Sequence, residues 1–396
     1  MKKKIHIITT SRADFTIWLP IIKCFIQDNQ FDIKVVVTGT HYFEDLGLTY
    51  TEVKNNISDS YLTEIPVGDN AKNYEFLSNI FNKYNEILRN PQTRPELVLI
   101  LGDRYELLPI LNALILNRVP IGHLYPAECD ISYCIDTQIR DAITKSAHLF
   151  FVPHQDYSNR LIAMGEEGWR ISVTGNSNLL NDLSIHSDSI YSFLKERKIH
   201  IPEHMSLVNC CYHPPTWKKG FWKKELPSII EALSYFQDKY VFLWTGINSD
   251  PDSSEMKEYL LKEIQNQKNH IYFDSLGGSI YHSLLQNAKF TIGNSSSGLY
   301  EAPIYKCPTI NVGVRQGGRL HGKSVIDINA KVDLITEAIK DIDCIKESDF
   351  KNVFFNKEYP NNIIEHIKSY LDSPNLMLKK LHSEFKTELE RVPNYL

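Results

Sequence analysis

Short apolar runs alternate with amphipathic segments along this chain, and this alternation constrains the fold more than any other feature of the sequence. Segments such as 74–88 and 140–146 have the pattern of helices, whereas the runs between them are typical of buried strands. The runs form two series: 5–9, 33–37, 97–101, 119–123 and 149–152, then 207–212, 240–244, 270–273, 290–292 and 309–312. Such alternation predicts parallel sheets covered by helices on both faces. We therefore expect an α/β protein with two doubly wound, Rossmann-like domains.

The length of the chain agrees with this division. Its 396 residues suffice for two domains, each with its own core. Gly, Asn, Ser and Asp accumulate between 175 and 187, where the first series has ended. We place the first domain at residues 1–178 and the second at 179–369. Residues 363–391 have a late helical pattern that is broken at Pro374, and we expect its C-terminal helix, about 370–396, to pack back on the first domain.

The charge balance and the cysteines exclude several classes of function. Lys and Arg number 43 and Asp and Glu 48, so a net charge of -5 provides no basic surface for nucleic acid. No apolar run approaches the length of a membrane span, and residues 1–4 precede a run too short for a secretory signal. The seven cysteines show no disulfide framework and no standard zinc-binding spacing. We expect a cytoplasmic protein without a metal, a nucleic acid or a membrane partner.

One predicted strand-to-helix junction has the composition of an anion-binding loop. Residues 293–298 (GNSSSG) follow an apolar run and precede residues 299–302, which we expect to open a helix. Small residues leave backbone N–H groups accessible, and a helix dipole favours an anion there. A second loop, 315–323, places Arg, His and Lys between glycines, and arginine forks suit phosphate oxygens. Ser-rich junctions are also common helix caps, so the phosphate prediction depends on both loops occurring together.

Ligands of open parallel sheets bind outside the carboxyl ends of the strands, so residues that follow strands are the candidates for a site. In the first series these residues are Arg12, Asp14, Asp103, Arg104, His123 and Glu128, followed by Asp136 and Arg140, and in the second series they are His213 and Asn248. Each has a structural alternative: Asp14 and Asp136 suit helix caps, the Asp103 pair suits a surface turn, and a histidine can simply be satisfied in the fold. Together they predict an interdomain cleft lined by Arg, Asp, Glu and His.

Six segments also carry a resemblance to a known family. They are 11–15 (SRADF), 102–104 (GDR), 135–145 (IDTQIRDAITK), 213–214 (HP), 293–303 (GNSSSGLYEAP) and 315–319 (RQGGR). In this order they resemble the UDP-N-acetylglucosamine 2-epimerases, and particularly the hydrolysing branch, which makes N-acetylmannosamine for sialic-acid-type sugars. The resemblance implies a glycosyltransferase-B-like fold with a UDP-sugar in the interdomain cleft. It also implies a homodimer and no metal or redox cofactor.

The resemblance implies a role for each matching residue. Ser295, Ser296, Ser297 and Gly298 hold the diphosphate together with Arg12 and Arg315, while Glu301 binds the ribose. Further predicted substrate-binding residues are Arg140, Asn248 and Arg319. The predicted catalytic residues are Asp103, Glu128, Asp136 and His213. The implied chemistry removes the C2 proton as UDP departs, giving a glycal, and then adds water at C1 and a proton to the other face of C2.

The sequence departs from the family pattern around one loop. The family carries His-x-Glu-Gly-Gly-Glu, whereas residues 123–128 read HLYPAE, so Tyr125 replaces the first glutamate. Thr137 replaces the second acid of an Asp-Asp pair, and Ile17 replaces a lysine. Glu128 either substitutes for the lost glutamate or matches only the second one. Three alternatives therefore stay open: a 4-amino or 6-deoxy sugar for nonulosonate synthesis, glycosyl transfer or plain hydrolysis, and nucleotide-sugar binding without turnover.

Overall fold

The computed structural model describes residues 2–44, 47–67, 74–128, 135–176, 189–247, 252–267, 269–351, 353–354, 356 and 358–380. The chain divides into two compact units. The first unit contains the described residues up to Glu128, those from Asp136 to 176 and those from Asn356 onward. The second contains Ile135 and the described residues from 189 to 354. The predicted boundary at 178 lies outside the described residues.

The first unit contains a seven-stranded parallel sheet with the order β3-β2-β1-β4-β5-β6-β7. Its strands are β1 (Lys3–Thr9), β2 (Phe31–Val37), β3 (Leu62–Glu64), β4 (Leu97–Leu101), β5 (Ile121–Leu124), β6 (Leu149–Val152) and β7 (Ile171–Val173). Its helices are α1 (Arg12–Gln27), α2 (Tyr50–Asn56), α3 (Phe76–Arg89), α4 (Leu107–Leu116), α5 (Ile135–Ser146) and α6 (Gln155–Ala163). The order reverses between β1 and β4, and ligands of such sheets usually bind at the carboxyl ends of the strands at this reversal.

The second unit repeats this architecture with six parallel strands in the order β10-β9-β8-β11-β12-β13. Its strands are β8 (Ser206–Cys211), β9 (Tyr240–Thr245), β10 (His270–Phe273), β11 (Ala288–Gly293), β12 (Thr309–Val312) and β13 (Val325–Ile328). Its helices are α7 (Ser189–Glu196), α8 (Trp222–Ser234), α9 (Ser253–Ile264), α10 (Gly277–Asn287), α11 (Ser297–Tyr300) and α12 (Val332–Lys340). Here the order reverses between β8 and β11. The predicted α/β class with two doubly wound sheets is confirmed.

A last helix, α13 (Tyr359–Tyr370), belongs to the first unit and packs on α1 and β7. Lys368 forms an ion pair with Asp28 at 2.8 Å. The buried Arg170 then holds the following segment, because its guanidinium donates to the carbonyls of Asn375, Leu376 and Leu378 at 3.0, 2.8 and 2.9 Å. The prediction of a helix from about 370 is wrong for the described part of that segment, which has no helix after Tyr370. Pro374 disfavours helical backbone at the residue before it, and residues 381–396 lie outside the described part.

Several predicted boundaries are corrected by the structure. The strands β3, β7 and β13 were missed, because they are only three or four residues long and partly exposed. The helix predicted from Arg140 begins at Ile135, more than one turn earlier. None of the described helices is long and apolar enough to cross a membrane.

Candidate active site

In the second unit, β8 and β11 end side by side at the point where the strand order reverses. Gly293 has a φ of +139°, and a Cβ there would overlap the carbonyl oxygen of Cys211. The N–H of Asn294 donates to that same carbonyl at 3.0 Å. Glycine is therefore required at 293, because the loop after β11 passes directly over the end of β8.

Asn294 is the residue that connects the parts of this edge. Its side chain is fully buried; Oδ1 accepts from the N–H of His213 at 2.7 Å, and Nδ2 donates to the His213 carbonyl at 2.8 Å. The Asn294 carbonyl accepts from Arg315 Nη1 at 3.0 Å and from Gln316 Nε2 at 2.8 Å. One asparagine thus fixes the positions of the predicted histidine and the predicted arginine relative to the serine loop.

His213 is buried at the end of this strand pair. Burial, together with the nearby charge of Arg315, lowers its pKa to about 3. Its Nε2 lies 3.5 Å from Cys211 Sγ. His213 is therefore a neutral imidazole at physiological pH, suited to hydrogen bonding rather than to service as a cation.

The serine loop presents donors at the surface of the second unit. Ser295, Ser296 and Ser297 are partly exposed, and within the described part of the chain no protein acceptor meets the N–H of Ser295 or Ser296. The short helix predicted after this loop is α11, a single turn that begins at Ser297 and is followed by a 3₁₀ turn at Ala302–Tyr305. A single turn has little dipole, so the N–H groups and hydroxyls are the relevant donors.

Two further predicted residues lie just after the serines. Gly298 packs against β12, where a Cβ would lie 2.6 Å from Thr309 Cγ2, and Thr309 donates to its carbonyl at 2.7 Å. Glu301 follows α11 instead of opening a helix, and its Oε1 lies 3.5 Å from Nε2 of His282. Both positions are thus held by neighbouring elements of the same unit.

The arginine loop is supported by helix α8. Glu225 is buried, accepts a hydrogen bond from Tyr212 Oη at 2.6 Å, and lies where a side chain on Gly313 would have to go. Gly313 has a φ of +85°, a conformation that glycine adopts without strain. Arg315 and Arg319 are partly buried in the turn that follows. This support brings the guanidinium of Arg315 to the serine loop.

In the first unit, charged side chains gather after β4 and along α5. Arg140 pairs with Asp103 and also donates to the carbonyl of Glu128. Its side chain is only 3% exposed. Within the first unit Arg140 therefore holds the Asp103 carboxylate and the backbone at Glu128 in place. Asp136 lies in the first turn of α5, four residues before Arg140 and hence on the same helical face.

The loop that departs from the family pattern is held in an unusual conformation. Tyr125 and Ala127 have φ values of +58° and +62°, which cost non-glycine residues free energy. Tyr125 Oη donates to Asn176 Oδ1 at 2.9 Å and lies 3.2 Å from Tyr359 Oη. Arg160 donates to the Ala127 carbonyl at 2.6 Å. The Tyr125 phenol is therefore part of a buried hydrogen-bonded cluster within the first unit.

The first strand of the sheet delivers Arg12 and Asp14 to α1. Ser11 and Asp14 form a capping box at the start of the helix, and the Asp14 carboxylate accepts from Thr10 N and Oγ1, both at 2.8 Å. The capping role predicted for Asp14 is confirmed. Arg12 is exposed as the first residue of α1.

Sequence comparisons connect this geometry with known proteins. The profile of the UDP-N-acetylglucosamine 2-epimerase family matches residues 24–368. The chain is 30% identical over 339 residues to the GDP/UDP-N,N'-diacetylbacillosamine 2-epimerase (hydrolyzing) of Campylobacter jejuni, covering 82% of this chain and 84% of that protein. It is 29% identical to the UDP-N-acetylglucosamine 2-epimerase of Neisseria meningitidis, covering 85% and 87%. This chain belongs to the UDP-N-acetylglucosamine 2-epimerase family. It is an enzyme of the nucleotide-sugar 2-epimerase class.

Solved structures of this family share the fold. The Neisseria meningitidis enzyme bound to UDP-GlcNAc superposes with a TM-score of 0.76 at 15% identity, covering 92% of this chain and 100% of that one. The Methanocaldococcus jannaschii enzyme in complex with UDP-GlcNAc and UDP also gives 0.76 at 18% identity, covering 92% and 99%. A further relative is the UDP-N,N'-diacetylbacillosamine 2-epimerase (hydrolyzing) of Legionella pneumophila, 28% identical over 86% of this chain and 89% of that protein. The predicted family and fold are thereby confirmed.

Within each unit, most of the predicted family residues lie together. Around Asn294 the structure collects His213, Arg315 and the serine loop, whereas around Arg140 it collects Asp103 and the Glu128 backbone. Asn248 lies outside the described residues. The sequence analysis missed Asn294 itself, although it stands inside the segment that carries the resemblance. The available signal was the position of this asparagine, directly between the end of a predicted buried strand and a run of serines.

Proposed function

We propose that this enzyme is a hydrolysing 2-epimerase of a UDP-sugar with a 2-acetamido group, UDP-N-acetylglucosamine or a close derivative. The products are UDP and the free 2-epimer, of the N-acetylmannosamine type. The observation that carries this proposal is the arrangement around Asn294, which joins His213, Arg315 and the serine loop in a member of this family. The acids Asp103, Asp136 and Glu128 supply the groups that proton transfer requires.

The residues of the second unit have the chemistry needed for the leaving group. Departure of UDP leaves negative charge on the diphosphate, and preorganised donors lower the barrier to its formation. We assign this stabilisation to Ser295, Ser296, Ser297, the backbone at Gly298 and Arg315, with Arg12 and Arg319 as further cations. Glu301 is assigned to the ribose hydroxyls and Asn248 to the substrate.

The acids of the first unit have the chemistry needed at C2. In the first step a carboxylate takes the C2 proton, the C1–O bond breaks with its electron pair on UDP, and a C1–C2 double bond forms. In the second step water adds to C1, and a proton enters C2 from the opposite face. We assign these transfers to Asp103, Asp136 and Glu128, with His213 as a neutral partner. The ion pair with Arg140 supports this assignment for Asp103, because it fixes the carboxylate in one orientation.

A second candidate is the same reaction on a UDP-sugar with a second acetamido group and a 6-deoxy carbon. Two observations favour it. Relatives from Campylobacter jejuni and Legionella pneumophila are named for diacetylbacillosamine. In addition, the loop at Tyr125 and Ala127 departs from the family pattern and has a distinctive backbone conformation.

We further propose that the enzyme works in the cytoplasm as a homodimer without a metal or redox cofactor. The free thiols of Cys24, Cys210, Cys211, Cys307 and Cys344 are consistent with a reducing compartment. Light scattering of the purified enzyme tests the dimer, and activity in the presence of a chelator tests the absence of a metal requirement.

Product analysis tests the proposed reaction. Purified enzyme is incubated separately with UDP-N-acetylglucosamine and UDP-N,N'-diacetylbacillosamine, and UDP and free sugar are separated by chromatography. We expect equimolar UDP and 2-epimer from at least one substrate. Unepimerised sugar would establish plain hydrolysis. UDP binding without turnover of either substrate would contradict the proposed substrates.

A further inference from the structure

The hydroxyl of Ser297 has a specific partner on a neighbouring helix. Tyr281 of α10 donates from Oη to Ser297 Oγ at 2.8 Å. Helix α10 precedes β11, and Ser297 opens α11 after that strand. The hydrogen bond therefore connects α10 to the loop that we assign to the diphosphate.

The groups on the other side of the phenol fix the direction of this hydrogen bond. Asn209 is fully buried in β8, and its Nδ2 donates to Tyr281 Oη at 3.4 Å and to Thr291 Oγ1 at 2.7 Å. An amide nitrogen is only a donor, so the Tyr281 oxygen accepts from Asn209 and directs its own proton to Ser297. Burial raises the pKa of Tyr281 well above its ordinary value, so the phenol keeps that proton.

The Ser297 hydroxyl is consequently left as a donor. A serine hydroxyl has one proton and two lone pairs, and Tyr281 occupies one of the lone pairs. Among the described residues no acceptor takes the Ser297 proton. The side chain is partly exposed in the same loop as Ser295 and Ser296. An incoming anion therefore meets a hydroxyl whose oxygen is already engaged and whose proton is available.

We propose that Tyr281 is a positioning residue that orients the Ser297 hydroxyl to donate to a phosphate oxygen of the nucleotide. The inference rests on the proposed function, because it requires a diphosphate at the serine loop. Without the phenol, the Ser297 hydroxyl rotates freely, and binding must then order it at a cost in affinity. The next residue of α10, His282, contacts Glu301 at 3.5 Å, so one turn of this helix supports both the serine loop and the predicted ribose ligand.

A double-mutant cycle measured with UDP tests this inference. Calorimetry gives the affinity of wild type, Tyr281→Phe, Ser297→Ala and the double variant for UDP, and competition gives their affinity for uridine, which has no phosphate. The control is Tyr240→Phe, a partly buried tyrosine at the start of β9, at the amino ends of the strands and so at the opposite end of the sheet from the serine loop. Melting temperatures of all variants check that the fold is kept.

We expect Tyr281→Phe to weaken UDP about three- to tenfold and to leave uridine unchanged. We expect the double variant to be no weaker than Ser297→Ala, because Tyr281 acts through Ser297. The inference would be overturned if the losses of UDP affinity in the two single variants were additive in the double variant. It would also be overturned if either single variant bound UDP as tightly as wild type, or if uridine lost as much affinity as UDP. In those cases wild-type UDP binding and turnover still support the proposed function, whereas a wild type that binds no UDP would remove both.

Discussion

The carboxyl edges of the two sheets are built differently, although the sheets share one strand order. In the second unit the edge is fixed by backbone crowding and amide hydrogen bonds, through Gly293 and Asn294. In the first unit it is fixed by the ion pair of Arg140 with Asp103 and by the left-handed backbone at Tyr125 and Ala127. Backbone crowding and amide hydrogen bonds suit the binding of a diphosphate, which is the same group in every UDP-sugar. Side-chain pairs are replaced more readily, which suits the part of the enzyme that we expect to contact a variable sugar.

The largest expected effect follows from removing the charge of Asp103. Asp103→Asn keeps the size of the side chain and an oxygen for Arg140, so we expect UDP affinity to stay within about twofold while kcat falls at least about 100-fold. Asp28→Asn, which alters the ion pair with Lys368 in the same unit, is the control and should have near-normal rates. If Asp103→Asn lost UDP affinity as well as kcat, this would contradict the assignment of UDP binding to the second unit and of proton transfer to the first.

A smaller effect is expected at Arg315 in the second unit. Arg315→Ala removes a cation held on the Asn294 carbonyl, and we expect UDP to bind roughly 10- to 100-fold more weakly. Lys323→Ala, an exposed cation of the same loop, serves as the matched control with a change below about threefold. Unaltered UDP affinity in Arg315→Ala would exclude this residue from the diphosphate site.

Acid should destabilise the first unit more than the second. Burial lowers histidine pKa values in the first unit at His6, His41, His123, His148 and His366, and in the second unit at His213 and His270. In the unfolded chain histidines take up protons below about pH 6.5. In the folded chain a histidine with a pKa of about 4 stays neutral until the pH falls to about 4. Stability is therefore lost as pH falls from about 6.5 to 4, on the order of 1–2 kcal/mol by pH 5 for each histidine whose folded pKa is about 4, namely His6, His123, His148 and His270.

His321 in the second unit acts in the opposite direction. Its hydrogen bond to Asp327, at 2.9 Å, raises its pKa, so this pair adds stability at low pH that is lost as pH rises. Hydrogen exchange at pH 7 and pH 5, corrected for intrinsic rates, measures protection in each unit. We expect the strands of the first unit to lose more protection. An equal loss in both units would refute this difference.

The smallest effect on turnover is expected at Tyr125. Its hydroxyl is engaged by Asn176 and Tyr359, so Tyr125→Phe should lower stability by about 1–2 kcal/mol and change kcat by less than about threefold. Glu128→Gln, in the same loop, should be nearly inactive. Denaturant unfolding and initial rates measure both quantities. The reverse ranking of the two variants would make Tyr125 the acid that replaces the lost glutamate.

The elements that the sequence predicts well are those whose signal is local. The strands β4, β6, β10 and β12 match their predicted bounds, because each is a short run rich in apolar or β-branched residues and is bounded by polar residues, Gly or Pro. The start of α5 at Ile135 was missed by five residues, and the start of α11 at Ser297 by two. In both cases tertiary contacts decide the boundary, whereas the residues alone are compatible with either.

The sequence predicted which residues belong to the site but not the contacts that hold them together. Sequence patterns and the family resemblance singled out His213, Arg315 and the serines, since each follows a strand or stands in a motif. The role of Asn294 depends on β11 lying beside β8, and its partner His213 is 81 residues away in the chain. The contact of Tyr281 with Ser297 and that of Glu225 with the Gly313 turn likewise arise from packing between separate elements.

A proton NMR time course in D₂O tests the central claim most directly, because it reports on the C2 proton while UDP is released. With UDP-N-acetylglucosamine or its diacetamido counterpart as substrate, the account predicts UDP together with a 2-epimer that carries deuterium at C2. The Asp103→Asn enzyme, which keeps the UDP site, should show neither signal at the wild-type rate. Release of UDP with a sugar that retains its original proton and configuration at C2 would contradict the elimination mechanism.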